Sequence, residues 1–219
     1  MDYTVAPICQ EELVRLRREL HMYPELSMQE RETAERIKTF LQDNTHFRII
    51  DRGNWFYAFK EGRKPGQKIA FRADMDALPI QETTGLDFAS EIPGQMHACG
   101  HDGHMAILLE LARRLNGKKD LPHNVLLVFQ PAEETTGGAR DICASGIFKK
   151  YKVKAIFGLH LWPGLEKGRV FSRGNELMAR ASEVNVDIYG KSAHIGRSWE
   201  GVDAMEAACC YLQKAYELE

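Results

Sequence analysis

An α/β fold, a largely parallel sheet flanked by helices and followed by the start of an α+β module, is predicted by three observations. Short apolar runs at 69–72, 124–129 and 153–158 are bounded by loop residues, as strands buried on both faces are. Helical periodicities lie between them, so strands and helices alternate. Near Arg180 the texture changes. There Glu183-Val184-Asn185-Val186-Asp187-Ile188-Tyr189 alternates polar and apolar residues, the pattern of a strand with one wet face.

Leu13, Leu16 and Leu20, then Ala34, Ile37 and Leu41, recur at three- and four-residue spacing and predict two amphipathic helices joined at Tyr23-Pro24. Strands are expected at 47–50 and 55–59 around the turn signal Asp51-Arg52-Gly53-Asn54. Residues 69–72 follow a Gly/Pro/Lys loop as a third strand. A helix over 101–115 gathers Met105, Leu108, Leu109, Ala112 and Leu115 on one face. Residues 124–129 are a strand inside the sheet, 138–145 a helix and 153–158 another buried strand. After Gly190, an Ala/Met/Leu run from Val202 predicts a last helix. The sequence thus divides into a body, 1–180, and the opening of a second domain, 181–219. One strand and one helix are too few to close a core, so the chain is expected to stop in mid-domain.

Composition narrows the function. The 219 residues carry 29 Lys plus Arg against 31 Asp plus Glu, a net charge of −2, without the basic excess of a nucleic-acid binder. Hydrophobic content of 44% is enough for a core. The longest aliphatic-aromatic stretch, Val125-Leu126-Leu127-Val128-Phe129, is far short of the roughly 20 residues of a membrane span. Met1 is followed by Asp2 and soon by charged Glu11, Glu12, Arg15, Arg17 and Arg18, with no apolar signal core, so a cytoplasmic chain is expected. Five cysteines, an odd number, argue against a disulfide framework. Cys9, Cys143, Cys209 and Cys210 read as buried filler; Cys99 differs because of its neighbours.

Polar residues gather where the predicted body strands end, the edge at which open α/β sheets place their sites. Residues 69–72 run into Ala73-Asp74-Met75-Asp76, residues 124–129 into Gln130-Pro131-Ala132-Glu133-Glu134, and residues 153–158 into Leu159-His160. Met96-His97-Ala98-Cys99-Gly100-His101-Asp102-Gly103-His104 lies at the mouth of a helix. Thiolate, imidazole and carboxylate are the donors of a transition-metal site. Each has a plainer structural reading on its own: His160 as a packed histidine, Glu133-Glu134 as a solvated face. Jointly, at four segment ends, a metal site is favoured. Cys99 and His101 diverge on a regular helix, but Gly100 permits the bend that turns both inward. His101 and His104 at i and i+3 could share a helix face, which leaves His104 a competing ligand, while Asp102 could orient a histidine. Of two adjacent glutamates, one is expected to bind metal and the other to take the proton of a water acidified by it. A thiol enzyme built on Cys99 and His101 has no evident orienting partner or oxyanion loop.

The segments FRADMDALPI, MHACGHDGHMA, FQPAEE, GLHLWP and GKSAHIG, in this order, together with RRELHMYPELSMQE, resemble the amidohydrolase branch of the co-catalytic (di-metal) metallopeptidase family. That branch includes hippurate hydrolase, N-acyl-amino-acid amidohydrolases, acetyldiaminopimelate deacetylase and the auxin-conjugate hydrolases. The resemblance implies a metallopeptidase-like body followed by a lid and dimerisation domain. It implies a hydrolase that cleaves the amide bond of N-acyl amino acids with two divalent metal ions per site, among zinc, manganese, cobalt and nickel. Cys99, His101, Glu134 and His160 match metal ligands, and Glu133 the general base. Asp76 matches the residue that orients a ligand, with Asp74 the weaker candidate. His194 matches a lid histidine that binds substrate or stabilises the oxyanion, often across a homodimer. No nucleic acid or membrane partner is implied. Family members continue beyond the point matched by Glu219 and add a final histidine ligand. This chain is therefore expected to bind metal weakly and turn over poorly, and the alternative is a catalytically impaired remnant acting as a binding or assembly module.

Overall fold

The computed structural model describes residues 10–118, 120–135, 137–177 and 184–217. They form two compact units, Met1–Leu165 and Glu166–Glu219. In the first, helices α1 (Gln10–Met22) and α2 (Arg31–Asn44) precede strands β1 (Arg48–Asp51), β2 (Phe56–Lys60) and β3 (Lys64–Asp74). After a long connection come α3 (His101–Asn116), β4 (His123–Gln130), α4 (Gly138–Ala144), α5 (Ile147–Lys150) and β5 (Val153–Gly158).

The five strands form one sheet in the order β1-β2-β4-β3-β5. β4, β3 and β5 run parallel, whereas β1 pairs with β2, and β2 with β4, antiparallel. The sheet is thus mixed. The short turn at 52–55 folds β1 and β2 into a hairpin, the antiparallel connection that few residues allow. The parallel part carries the site, because its register aligns three carboxyl ends. Asp74 at the end of β3 pairs with Gln130 at the end of β4, and Arg72 pairs with Gly158 at the end of β5.

Alternation along β4 explains its unbroken apolar run. Val125, Leu127 and Phe129 join Phe56, Ala58 and Ala73 beneath α1, α2 and α3, packing on Leu20, Ile37, Leu41, Met105 and Leu109. Leu126 and Val128 join Trp55, Tyr57, Phe59 and Ala70 on the other face, under Ile142 of α4 and Ile147 of α5. Both faces are covered, so none of the positions from Val125 to Phe129 profits from being polar.

β5 departs from the expectation of a buried strand. It is an edge strand bonded to β3, and Ile156 and Phe157 are 51% and 52% exposed. An apolar run records what a strand is suited to bury, not what covers it. In the second unit, Val184 to Tyr189 join no ladder among the described residues, although their alternation predicts a strand; the pattern needs a pairing partner to become one. That unit holds an antiparallel bridge between Lys191 and Val202, a 3-10 helix at Ile195–Glu200 and α6 (Ala204–Tyr216). Asp203 caps α6 by accepting the N–H groups of Met205 and Glu206.

Candidate metal centre

The aligned strand ends bring four segments of the first unit together. α3 starts from Gly100, whose φ of 87° lies in the left-handed region that a side chain disfavours. That bend leaves Cys99 in the turn before the helix and His101 as its first residue, so the two side chains converge. The donor atoms of Cys99, His101 and His160 all lie within 4.8 Å of one another, and so do those of His101, Glu133 and Glu134. His101 is common to both groups.

His101 is oriented from behind. Its Nδ1 lies 2.8 Å from the backbone oxygen of Asp76 and 3.3 Å from the Asp76 carboxylate. Its Nε2 then faces Glu134 Oε1 at 3.7 Å and Glu133 Oε2 at 3.8 Å. Asp76 is fixed in turn, its Oδ2 accepting from the Ser27 hydroxyl at 2.7 Å and the Glu134 N–H at 2.9 Å. Burial would raise the Asp76 pKa, but the hydrogen bonds from His101, Glu134 and Ser27 outweigh it and hold it at about 2. Burial would lower the pKa of His101; its bond to Asp76 and the charges of Asp74 and Asp76 raise it instead.

Cys99 Sγ lies 3.4 Å from His160 Nε2, and His160 Nδ1 donates to the carbonyl of Leu161 at 2.7 Å. Burial, the Glu134 carboxylate and the charge of Glu133 push the Cys99 thiol up to about 12. The nucleophile of a thiol enzyme needs the reverse. A divalent cation at this point would favour the thiolate.

The donor set fits such a cation. The buried atoms His101 Nε2 and Glu134 Oε1 have no hydrogen-bond partner among the described residues, although both face polar groups. Donors at about 2.0–2.3 Å from one tetrahedral ion sit roughly 3.3–3.8 Å apart, close to the separations found here. Cys99, His101, His160, Glu133 and Glu134 are thus brought together with Asp76. His194 lies in the second unit, where it accepts the Gly196 N–H at 3.1 Å and caps the 3-10 helix.

Two residues weighed from sequence have other partners. Both His104 nitrogens are engaged, Nδ1 with Asp74 Oδ1 at 2.7 Å and Nε2 with the Leu161 N–H at 2.9 Å, which leaves no lone pair for a metal. Asp102 holds His21 at 2.7 Å and Arg17 at 2.8 Å, away from the site histidines. Sequence reasoning missed Glu30, Ser27 and Arg72. Arg72 left a signal, being a cation at the end of a buried strand. Glu30 and Ser27 left none, because their partners lie 102 and 49 residues away.

The sequence profile of the Peptidase family M20/M25/M40 matches residues 70–217. The chain belongs to this family. Among its relatives, an N-acetylcysteine deacetylase of Bacillus subtilis is 42% identical over 200 residues, covering 90% of this chain and 52% of the relative. An N-acetyldiaminopimelate deacetylase of Exiguobacterium sibiricum is 38% identical over 210 residues, 93% of this chain and 55% of its own. A crystal structure from Bacillus subtilis described as a dinuclear metal-binding M20 peptidase superposes with a TM-score of 0.67 at 45% identity, covering 71% of this chain and 44% of that one. This M20 chain spans about half the length of the curated relatives it matches. Among the described residues, no helix is long and apolar enough to cross a membrane.

Proposed function

We propose that this M20 chain is the catalytic portion of a metal-dependent amidohydrolase that removes the acyl group from N-acyl amino acids. One observation carries the reading. His101 presents an unpartnered, buried Nε2 to two adjacent glutamates, while a thiol and a second imidazole stand beside it. Carboxylates gathered around an unpartnered, buried imidazole nitrogen are costly to assemble unless a cation completes them. The two deacetylase relatives support the choice of an acylated amino acid as substrate.

In this reading Cys99, His101, Glu134 and His160 hold the divalent ions, which when bound supply Lewis acidity to an amide carbonyl and acidify water. Glu133 is the general base. At 39% side-chain exposure its carboxylate is the more open of the pair, against 21% for Glu134, so it can reach a water entering from solvent. It takes a proton from the attacking water and returns it to the leaving amine, so one carboxylate serves both halves of the reaction. Asp76 keeps Nδ1 of His101 occupied and Nε2 free for a metal. For His194 the resemblance of GKSAHIG to the family's lid segment alone supports a role at the developing oxyanion. Zinc, manganese, cobalt and nickel all suit mixed sulfur, nitrogen and oxygen donors.

The test compares two isosteric variants on N-acetylated amino acids. Glu133→Gln should abolish hydrolysis and leave metal content nearly unchanged, whereas Glu134→Gln should lose metal as well. The opposite pattern would reverse the two roles. Chelator-resistant hydrolysis would remove the metal from the mechanism altogether.

A further inference from the structure

Leu161 uses both of its backbone polar groups in the metal centre. Its carbonyl accepts from Nδ1 of His160 at 2.7 Å, and its N–H donates to Nε2 of His104 at 2.9 Å. Its side chain rests against the first turn of α3, where Cδ1 is 3.5 Å from the Cβ that a side chain at Gly100 would carry and 2.5 Å from the one at Gly103. A Cβ at Gly103 would crowd the end of the Leu161 side chain, whereas one at Gly100 would meet it at ordinary van der Waals distance. Behind His104, Asp74 accepts from its Nδ1 at 2.7 Å and pairs with Arg72 Nη1 at 2.7 Å. Arg72 Nε in turn donates to Gln130 Oε1 at 2.9 Å, three residues before Glu133.

We infer that His104 is a positioning residue: through the Leu161 peptide it fixes where His160 presents its Nε2, and through Asp74 and Arg72 it ties that placement to the end of β4. His160 sits on an exposed segment after an edge strand, where its ring meets those of His104, Trp162 and His101 at centroid distances of 4.7, 5.8 and 6.5 Å, contacts that leave open which nitrogen faces the metal. The strand register cannot set its ring, because the β3–β5 pairing ends at Gly158, two residues earlier. A peptide locked on both sides supplies that constraint. Each link has a fixed polarity. His104 Nε2 must accept because Leu161 N–H can only donate, so its proton is on Nδ1 and points at Asp74. By the same logic the Leu161 carbonyl takes the Nδ1 proton of His160 and leaves Nε2 of that ring free toward Cys99.

This inference rests on the metal site proposed above, and cobalt binding to the full chain tests the two separately. Cobalt(II) titration reads affinity, and the sulfur-to-cobalt charge-transfer band reports Cys99 independently of activity. His104→Phe, which keeps a ring and loses both bonds, should weaken cobalt binding by about 10- to 100-fold, the usual cost of losing a partner that orients a ligand. The charge-transfer band should persist at saturation. His104→Gln, whose amide offers one acceptor and one donor, should recover most of the affinity. Leu161→Pro leaves His104 intact but removes the N–H that its Nε2 accepts, so it should weaken binding in the same direction and decides the matter if His104→Phe does not fold. Unchanged affinity in His104→Phe or Leu161→Pro, or equal losses in the Gln and Phe variants, would overturn the inference while leaving the metal site standing. An unmodified chain that binds no cobalt would instead overturn the metal site, and the inference with it.

Discussion

Nδ1 of His101 lies 2.8 Å from the carbonyl oxygen of Asp76, and the carboxylate of the same aspartate stands 3.3 Å from that nitrogen. One residue thus offers the imidazole two acceptors on one side and leaves Nε2 for the other. Asp76→Asn keeps the carbonyl contact and removes the charge. It should lower metal affinity by about 10- to 100-fold, as read by competition with a chromophoric chelator. The same substitution should change the acid limb of the metal-free fold. A carboxyl held at about 2 against an ordinary 3.8 adds stability that is complete above that ordinary value and is lost as pH falls toward 2. Urea midpoints between pH 5 and 2 should therefore fall less steeply in the variant.

Among the described residues, the thiols should react in a fixed order. Cys143, Cys209 and Cys210 are exposed, against the expectation of buried filler, because an apolar neighbourhood in sequence does not say what covers it; Cys99 is half-buried and pushed up to about 12 by burial and the carboxylates around it. Alkylation follows the thiolate fraction. At pH 8 and without metal, iodoacetamide should label the three exposed thiols first and Cys99 at least an order of magnitude more slowly, as followed by peptide mass spectrometry. Early labelling of Cys99 in the metal-free chain would mean an activated sulfur and would favour the thiol-enzyme reading.

His21 forms a second buried polar centre with the opposite pH dependence. The hydrogen bond that His21 donates to Asp102, opposed by burial and helped by the Asp102 charge and by Glu82, raises its pKa above the ordinary 6.5. A raised histidine contributes stability that is complete below 6.5 and is lost as pH climbs through the folded value. His21→Gln removes that contribution. The gap in urea midpoint between wild type and variant should be widest near pH 6 and narrow steadily toward pH 9. A constant gap would show that packing against Phe88, 5.7 Å away ring to ring, is all that His21 provides.

Much of this arrangement is legible in the sequence. The apolar run of β4 and the one-sided periodicity of α3 mark their elements because their burial comes from local pattern. The position of Asp76, Glu133, Glu134 and His160 just past apolar runs marks the site edge, since parallel strands deliver their ends to one side. Long-range geometry leaves no such trace. His21 and Asp102 are 81 residues apart, and nothing near either one names the other. His104 reads as a competing ligand until Leu161 and Asp74 are seen to occupy both nitrogens. β5 is as apolar as β4, yet one is an edge and the other is covered on both faces, a distinction set by neighbours rather than by composition.

The turn that presents the two glutamates offers the most direct test of how rigidly they are held. Ala132, immediately before Glu133, is fully buried at a φ of 48°, a conformation that costs a non-glycine residue about 1–3 kcal/mol. Two contacts hold it there. Its N–H donates to the buried carboxylate of Glu30 at 2.8 Å. The start of α4 also approaches so closely that a Cβ on Gly138 would lie 1.8 Å from the Pro131 oxygen and 3.3 Å from that of Ala132. Those neighbours are backbone and cannot swing aside as a side chain can. Gly138→Ala should therefore destabilise the fold by about 1–3 kcal/mol or more, as overpacking does, and should shift the glutamates enough to lower metal affinity as well. Glu30→Gln keeps an acceptor for Ala132 and should be mild, whereas Glu30→Ala strands a buried N–H and should cost about 1–3 kcal/mol. Denaturant midpoints and cobalt titrations on the three variants check both effects. Full metal affinity in a destabilised Gly138→Ala chain would show that the turn does not govern where Glu133 and Glu134 stand.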